Sequence, residues 1–241
     1  DTVLFVVDTH RRFLIDEPEL YEKAKAKVVI DHHRRSDDFI NDADIFYHHP
    51  SPSSTCEMVA ELIEYSTIQD ALPQVIATAL LSGIVLDTKD YVLRTSKRTF
   101  EAAAFLKENK ADTVAVKKLF SFSSEMINLK NEILNNAEIY QNCMISFSHS
   151  DSEDIRVITA KAADEMLNIR NVKASFVLSC IGNDLIQISA RSLGEENVQL
   201  IMENLGGGGH STMAAAQIKN ADLETAKSML LKAIDNYYLA K

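Results

Sequence analysis

Cysteine is scarce and long apolar runs are absent, and each absence excludes a class of protein. The 241 residues contain three cysteines, Cys56, Cys143 and Cys180, which are odd in number, far apart and form no CxxC pair. This pattern fits neither a disulfide framework nor a thiolate zinc site, and it favours a reducing compartment. No apolar run approaches the roughly 20 residues that a membrane-spanning helix needs, so we expect the given chain to be soluble.

The charge balance is acidic, with 35 acidic and 25 basic residues and a net charge of -10. Such a charge repels a long polyphosphate such as duplex DNA unless the basic residues cluster. The net charge is more compatible with a small ligand or a short nucleic-acid strand. The length and the 46% hydrophobic content predict a globular chain with two domains.

Two short apolar runs each end in an acidic residue. Residues 3–7 precede Asp8, and residues 28–30 precede Asp31. Continuous apolar residues predict strands buried on both faces of a parallel sheet. Because the carboxyl ends of parallel strands meet at one edge, we expect Asp8 and Asp31 to share that edge. A sequence that opens directly on a strand also predicts a further segment upstream.

Polar residues near these strand ends could bind a metal. The tripeptide Asp31-His32-His33 mixes hard oxygen and borderline nitrogen donors, which suits manganese, iron or zinc; taken alone, it could be a loop with polar residues. Residues 72–84 repeat apolar side chains at helical spacing, and Asp87 continues that stripe. A cation would offset the several kcal/mol that an unpaired buried carboxylate costs. Alternatively, Asp87 faces solvent or pairs with Lys89.

The remaining patterns predict a helical connector and an α/β second lobe. Ser54-Thr55-Cys56-Glu57 reads as a capping box opening a helix to about Tyr65. The turn residues 182–184 separate two β-rich runs, as in a hairpin. The predicted elements are helices at 98–109, 111–136, 160–167, 195–205 and 223–238, and strands at 155–158, 175–181 and 185–190.

A glycine run in the second half predicts a phosphate site. Gly206, Gly207, Gly208 and Gly209 precede His210, so backbone N–H groups could line an anion-binding concavity. Arg191 and Ser192 could add a guanidinium and a hydroxyl. The alternatives are a simple helix stop for the glycines and a solvated strand end for Arg191.

Four other histidines have no obvious ligand pattern. We expect them to be surface or loop residues; they are His10, His48, His49 and His149.

Taken together, Val7-Asp8, Asp31-His32-His33, residues 83–88 (GIVLDT) and residues 206–210 (GGGGH) resemble the DHH phosphoesterase superfamily with its DHH-associated C-terminal domain. The GdpP-type cyclic-di-AMP phosphodiesterases are the more similar branch. That similarity rests on residues 54–57 (STCE), 87–89 (DTK), 94–96 (RTS), 98–103 (RTFEAA), 189–194 (SARSLG) and 197–199 (NVQ).

The resemblance implies an α/β fold with a parallel-sheet lobe and a smaller mixed-sheet lobe facing it across a cleft. The implied domains are a catalytic DHH domain at 1–110, a helical connector at 111–137 and a substrate-binding domain at 138–241. Asp8, His32 and Asp87 would bind two manganese ions or other divalent metals. His33 would face the scissile phosphate, and Asp31 would orient the ligands. The phosphate and base of the substrate would contact Arg191, Ser192, Gly206, Gly207, Gly208, Gly209 and His210.

The same resemblance implies hydrolysis of the bacterial second messenger cyclic di-AMP to pApA. It also implies a homodimer at the cytoplasmic face of the membrane, attached through upstream segments, and no long nucleic acid as partner. The alternatives are a nanoRNase or pAp phosphatase, and a sensor that binds a cyclic dinucleotide without cleaving it.

The sequence departs from the pattern at two points. The superfamily motif that precedes Asp8 and supplies further metal ligands is not among these residues, so we expect the given chain alone to bind metal weakly. Met213 stands where a polar residue is expected, which affects one base contact.

Overall fold

The computed structural model describes residues 2–35, 37–67, 72–150, 152–182 and 185–241. The chain folds into two compact units of nearly equal length, Asp1–Ser121 and Phe122–Lys241. The predicted connector at 111–137 is therefore divided between the units. Among the described residues, no helix combines the length and the apolar character needed to cross a membrane.

The first unit is built on a three-stranded parallel sheet. Its strands are β1 (Val3–Val7), β2 (Ala26–Asp31) and β3 (Ile45–His48), in the spatial order β1-β2-β3. One face of the sheet packs into a small apolar core of Val6, Tyr21, Val29 and Ile40. This core fixes the strands whose carboxyl ends carry Asp8 and Asp31.

The predicted burial of both sheet faces is wrong for β1. Val3, Phe5 and Val7 are 53%, 60% and 52% exposed, and Ile45 on β3 is also exposed. Both faces of β1 carry apolar side chains, so the sequence does not show which face is covered and which is exposed.

In the part of this unit that the structure describes, the α-helices are α1 (Pro18–Lys23), α2 (Thr55–Glu64), α3 (Gln74–Thr88), α4 (Lys97–Glu108) and α5 (Thr113–Leu119). The predicted cap of α2 is confirmed, since Ser54 Oγ accepts from Glu57 N at 3.0 Å. The carboxylate of Glu57 instead accepts from Ser53 N, at 3.1 Å.

The apolar stripe predicted along α3 is offset from the buried face. The buried residues are Ala77, Leu81, Ile84 and Thr88, whereas Val75 is 71% exposed. α3 is apolar around most of its circumference, so spacing alone did not identify the packed face. Asp87 is nonetheless half-buried, next to Thr88 on the last turn.

The second unit is built on a six-stranded mixed sheet with the order β4-β5-β6-β7-β9-β8. β5 and β6 are parallel, and the other neighbours are antiparallel. The predicted hairpin is confirmed, although residues 183–184 of its turn lie outside the described residues. The strands are β4 (Glu138–Tyr140), β5 (Cys143–Ser148), β6 (Ala174–Ile181), β7 (Leu185–Ser192), β8 (Gly208–Gly209) and β9 (Met213–Lys219). The expected α/β class, with one parallel and one mixed sheet, is confirmed.

Helices cover both faces of this sheet. On one face, α8 (Val198–Glu203) and α9 (Leu223–Ala240) pack against Phe176 and Leu178. On the other face, α6 (Ser124–Asn135) and α7 (Ile155–Met166) pack against Val177.

The strand predicted at 155–158 is wrong, because these residues form the first turn of α7. Ile155, Ile158, Ala162 and Met166 are buried at helical spacing. Their burial against the sheet outweighs the β-propensity of Ile155, Val157 and Ile158.

Candidate active site

The carboxyl ends of β1 and β2 place two carboxylates at one edge of the sheet, as predicted. Asp31 is the last residue of β2, and Asp8 directly follows β1 with its N–H donating to Ile30 O at 3.0 Å. Asp8 has a left-handed backbone, with φ of +64°. This conformation is uncommon for any residue but glycine and is tolerated best by Asn and Asp, so the turn off β1 favours an aspartate.

His32 lies between two carboxylates. Its Nε2 atom is 3.6 Å from Asp8 Oδ1 and 3.6 Å from Asp87 Oδ2, and its side chain is only 3% exposed. Its Nδ1 lies 3.4 Å from the carbonyl oxygen of Pro52, which can only accept. The ring proton is therefore placed on Nδ1, and the lone pair of Nε2 points into the site.

This donor set fits a divalent cation. One nitrogen lone pair and two carboxylate oxygens converge at distances too long for hydrogen bonds, so they repel one another unless a positive charge lies among them. A metal-binding histidine usually donates its other ring N–H to a carbonyl or carboxylate, and Pro52 O fills that position. Asp8, His32 and His33 also offer donor atoms within 4.8 Å of one another.

The pKa values around this set reflect burial. Burial lowers the pKa of His32, and the nearby charge of His33 lowers it further. Burial raises the pKa of Asp87 above its ordinary value. Cys56, on the first turn of α2, has its pKa raised to about 11 by burial and then by the charges of Asp87 and Asp8.

Asp31 and His33 form a second, adjacent pair. His33 donates from its ring Nδ1 to Asp31 Oδ1 at 2.7 Å and from its backbone N at 3.2 Å. Burial opposes ionisation of Asp31, but hydrogen bonds from His33 and His10 outweigh it and hold the pKa of Asp31 well below its ordinary range. The hydrogen bond to Asp31 raises the pKa of His33.

His10 lies in the loop that follows β1, as one of the two predicted alternatives, but it is not a surface residue. The residue is 2% exposed, and its Nδ1 donates to Asp31 Oδ2. His48 is half-buried and contacts the carbonyl oxygen of His33 through Nε2 at 2.6 Å. His49 and His149 are exposed, as predicted.

Thr55 is a further residue of the site that sequence reasoning did not place there. Its Oγ1 donates to Asp8 Oδ1 at 2.9 Å, from a buried position at the start of α2. Residues 54–57 carry part of the family resemblance, and that was the available signal. The same residues also form a helix cap, and that role gave no indication that Thr55 contacts Asp8.

In the second unit, the glycine run packs closely against β9. A Cβ on Gly207 would lie 2.2 Å from Ala215 O, and a Cβ on Gly209 would lie 2.5 Å from Met213 O. Gly209 also has φ of +144°. His210 N donates to Met213 O at 2.6 Å, which closes a tight turn. The glycines therefore allow two backbone segments to approach each other closely.

Arg191 and Ser192 lie at the end of β7, beside this turn. Ser192 N donates to Thr212 O at 2.9 Å, and Ser192 Oγ donates to Glu196 O at 2.7 Å. Arg191 Nε is 3.2 Å from Asp164 Oδ1, an ion pair without regular hydrogen-bond angles. Burial lowers the pKa of Arg191.

Both units match known domain families. Residues 2–84 match the DHH family, N-terminal domain, and residues 141–238 match the DHHA1 domain. The chain therefore contains a DHH domain followed by a DHHA1 domain. In this DHH domain, Asp8, Asp31, His32 and His33 lie inside the matched range, and Asp87 lies just beyond it. The DHHA1 domain contains Arg191, Ser192 and the glycine run.

Individual relatives extend the similarity over nearly all of the chain. The cyclic-di-AMP phosphodiesterase PdeA of Listeria monocytogenes is 44% identical over 98% of the chain, and the cyclic-di-AMP phosphodiesterase GdpP of Geobacillus thermodenitrificans is 45% identical over 99%. The chain spans 36% of the length of each.

A solved structure shares the fold of this chain. The exopolyphosphatase-related protein of Bacteroides fragilis superposes with a TM-score of 0.84 at 23% identity, covering 98% of this chain and 71% of that one.

Proposed function

We propose that this chain is the catalytic region of a metal-dependent phosphodiesterase that hydrolyses cyclic di-AMP to linear pApA. The arrangement of Asp8, His32 and Asp87, with the lone pair of His32 Nε2 3.6 Å from each carboxylate, is the observation that carries the proposal. Identities of 44% and 45% to proteins named cyclic-di-AMP phosphodiesterases support the choice of substrate.

We propose Asp8, His32 and Asp87 as metal ligands, with manganese as the metal and two ions in the complete site. A divalent cation, when bound there, would lower the pKa of water and neutralise charge on the phosphate. The carboxylates and the imidazole nitrogen suit manganese better than calcium. Calorimetric titration of the intact protein with Mn²⁺, Mg²⁺ and Zn²⁺ tests the choice, and a strong preference for another ion would contradict it.

His33 is proposed as the general acid. Hydrolysis forms a bond from a water oxygen to phosphorus and breaks the bond from phosphorus to the 3′ oxygen, which must take up a proton. Because Asp31 holds Nδ1 of His33 at 2.7 Å, the other ring nitrogen, Nε2, can deliver that proton. The raised pKa of His33 keeps more of the ring protonated near neutral pH.

In the DHHA1 domain, we propose that the segment of Gly206, Gly207, Gly208 and Gly209, together with His210 and Arg191, binds a phosphate and base of the nucleotide. The amides of Gly206 and Gly207 already donate to Glu203 O at 3.0 Å and Met202 O at 2.9 Å, so these two glycines would contribute an unobstructed approach to the backbone rather than N–H donors. Asp164 would orient the Arg191 guanidinium from 3.2 Å. Ser192 would support the site, because its amide and hydroxyl both bind the backbone that flanks it.

Product analysis tests the proposed activity. The intact protein is incubated with cyclic di-AMP and Mn²⁺, and chromatography should show pApA. Linear pApA and pAp are tested as substrates in parallel, because faster turnover of either would favour a nanoRNase or pAp phosphatase. Binding of cyclic di-AMP with no product under any divalent metal would instead indicate a sensor.

Two further parts of the proposal concern the whole protein. A homodimer is expected, and sedimentation of the intact protein checks it. Attachment to the cytoplasmic face of the membrane through segments outside these residues is also expected, and cell fractionation with antibody detection checks that.

A further inference from the structure

His10 is a buried histidine that no step of the proposed hydrolysis uses. We infer that His10 is a positioning residue: it fixes the Asp31 carboxylate and the His48 ring, and through them the orientation of His33. The inference rests on the proposed function, because the orientation of His33 matters only if that ring serves the reaction.

Two histidines share the Asp31 carboxylate. Its Oδ1 accepts from the amide and the ring of His33, at 3.2 and 2.7 Å, while its Oδ2 accepts from His10 Nδ1. Asp31 is fully buried, so losing the donor on Oδ2 cannot be compensated by bulk solvent. The carboxylate torsion of aspartate is intrinsically broad. Without His10, the plane of the carboxylate could turn and carry the His33 ring with it.

His10 also contacts His48. Their rings meet edge to face with centroids 5.1 Å apart, and His48 Nε2 donates to the carbonyl oxygen of His33 at 2.6 Å. Asp31 thus accepts hydrogen bonds from the ring and amide of His33, and His48 donates one to the carbonyl oxygen of His33. His10 contacts both of them.

His10 is itself held by the backbone around it. Its carbonyl oxygen accepts from Ile40 N at 2.7 Å, and the adjacent Arg11 forms a β-bridge with Phe39. This places the ring against Asp31 before any substrate arrives. Such outer contacts are the ones whose removal costs roughly 10- to 100-fold in activity at metal sites.

His10, Asp31 and His48 also offer donor atoms within 4.8 Å of one another, as metal ligands would. However, the nitrogen of His10 that faces Asp31 donates a proton to that carboxylate and so has no lone pair for a metal. The experiment must therefore also exclude the alternative that His10 binds a metal directly.

The test compares His10→Leu with His10→Asn in the intact protein. Leucine fills the space without a donor, whereas the amide nitrogen of asparagine lies where His Nδ1 lay and can donate to Asp31. His49→Leu, at an exposed histidine of the same unit, is the matched control. The measurements are kcat and KM on cyclic di-AMP, calorimetric Mn²⁺ affinity, and urea unfolding of the metal-free protein.

We expect His10→Leu to lower kcat by about 10-fold or more with little change in KM or Mn²⁺ affinity. His10→Asn should recover most of the loss, and His49→Leu should change nothing. The inference would be overturned in favour of a structural role if the leucine and asparagine variants lost kcat equally and in proportion to their loss of stability. A fall in Mn²⁺ affinity matching that of His32→Ala would overturn it in favour of a ligand. If the unmodified protein makes no pApA, the proposed function fails instead.

Discussion

Thr55 at the start of α2 donates a hydrogen bond from Oγ1 to Oδ1 of Asp8, 47 residues earlier in the chain, over 2.9 Å. The bond fixes one oxygen of a proposed metal ligand from a buried side chain. It therefore links the beginning of a helix to the edge of the sheet, and it makes the position of Asp8 depend on a residue that would not itself touch a metal.

Thr55→Val should weaken metal binding, because valine keeps the shape of threonine but cannot donate to Asp8. We expect Mn²⁺ affinity and kcat to fall by roughly 10-fold or more, the usual effect of removing a partner of a metal ligand. Calorimetry and product formation measure the two effects. Thr55→Ser, which retains the hydroxyl, should bind Mn²⁺ almost normally. Equal losses in the two variants would show that the contact with Asp8 is not the cause.

The pH dependence of the reaction should identify His33. Its contact with Asp31 raises its pKa above the ordinary value of 6.5, so protonated His33 persists to higher pH. A general acid is active below its pKa, and kcat should therefore fall as the pH rises through that pKa. In Asp31→Asn the acceptor loses its negative charge, so the pKa of His33 should be raised less and the fall should move to lower pH. A pH profile of kcat in both proteins measures the shift. An unchanged or upward-shifted alkaline limb would exclude His33 as the acid.

Gly83→Ala should destabilise the first unit, although alanine favours helices by about 1 kcal/mol over glycine. A Cβ at Gly83 would lie 2.2 Å from Sγ of Cys56, where α2 packs against α3. We expect a net loss of about 1–3 kcal/mol in the free energy of unfolding, as is usual for overpacking. Urea denaturation measures it.

Cys56 provides the control for that prediction. In the double variant Cys56→Ala/Gly83→Ala the sulfur is gone, and most of the lost stability should return. A Gly83→Ala protein more stable than the parent would show that the two helices separate without cost.

The elements that sequence predicted well are those whose signal is local. Strand ends bearing Asp8 and Asp31, the Ser54 cap and the 185–192 strand all follow from neighbouring residues. His10 was missed because its burial depends on Asp31, 21 positions away, and on Ile40.

The helix at 155–166 and the packed face of α3 were missed for a related reason. In both segments the apolar residues are compatible with more than one element or packed face. Contacts with elements distant in sequence determine which one forms. The donor set of the site was predictable because the Asp31-His32-His33 tripeptide and Asp87 resemble a known family. The partners that hold those donors, Thr55 and His10, required the tertiary structure.

Gly207→Ala should disrupt the nucleotide-binding region of the DHHA1 domain, whereas Gly208→Ala should leave its stability unchanged. A Cβ at Gly207 would meet Ala215 O at 2.2 Å and Ala216 Cα at 2.7 Å, which are backbone atoms that cannot move without breaking the strand pairing. At Gly208 a Cβ would meet no atom within 4 Å. Gly208→Ala is therefore the control, because it adds the same methyl group without a clash.

Thermal unfolding and calorimetric binding of cyclic di-AMP measure the two effects. The Gly207 variant should unfold at lower temperature and bind at least 10-fold more weakly, since loss of about 1.4 kcal/mol of binding free energy is tenfold in affinity. Equal thermal stability of the two variants would mean that the close approach to β9 is not what requires glycine. Normal binding by a destabilised Gly207 variant would separate the fold of this segment from the proposed phosphate site.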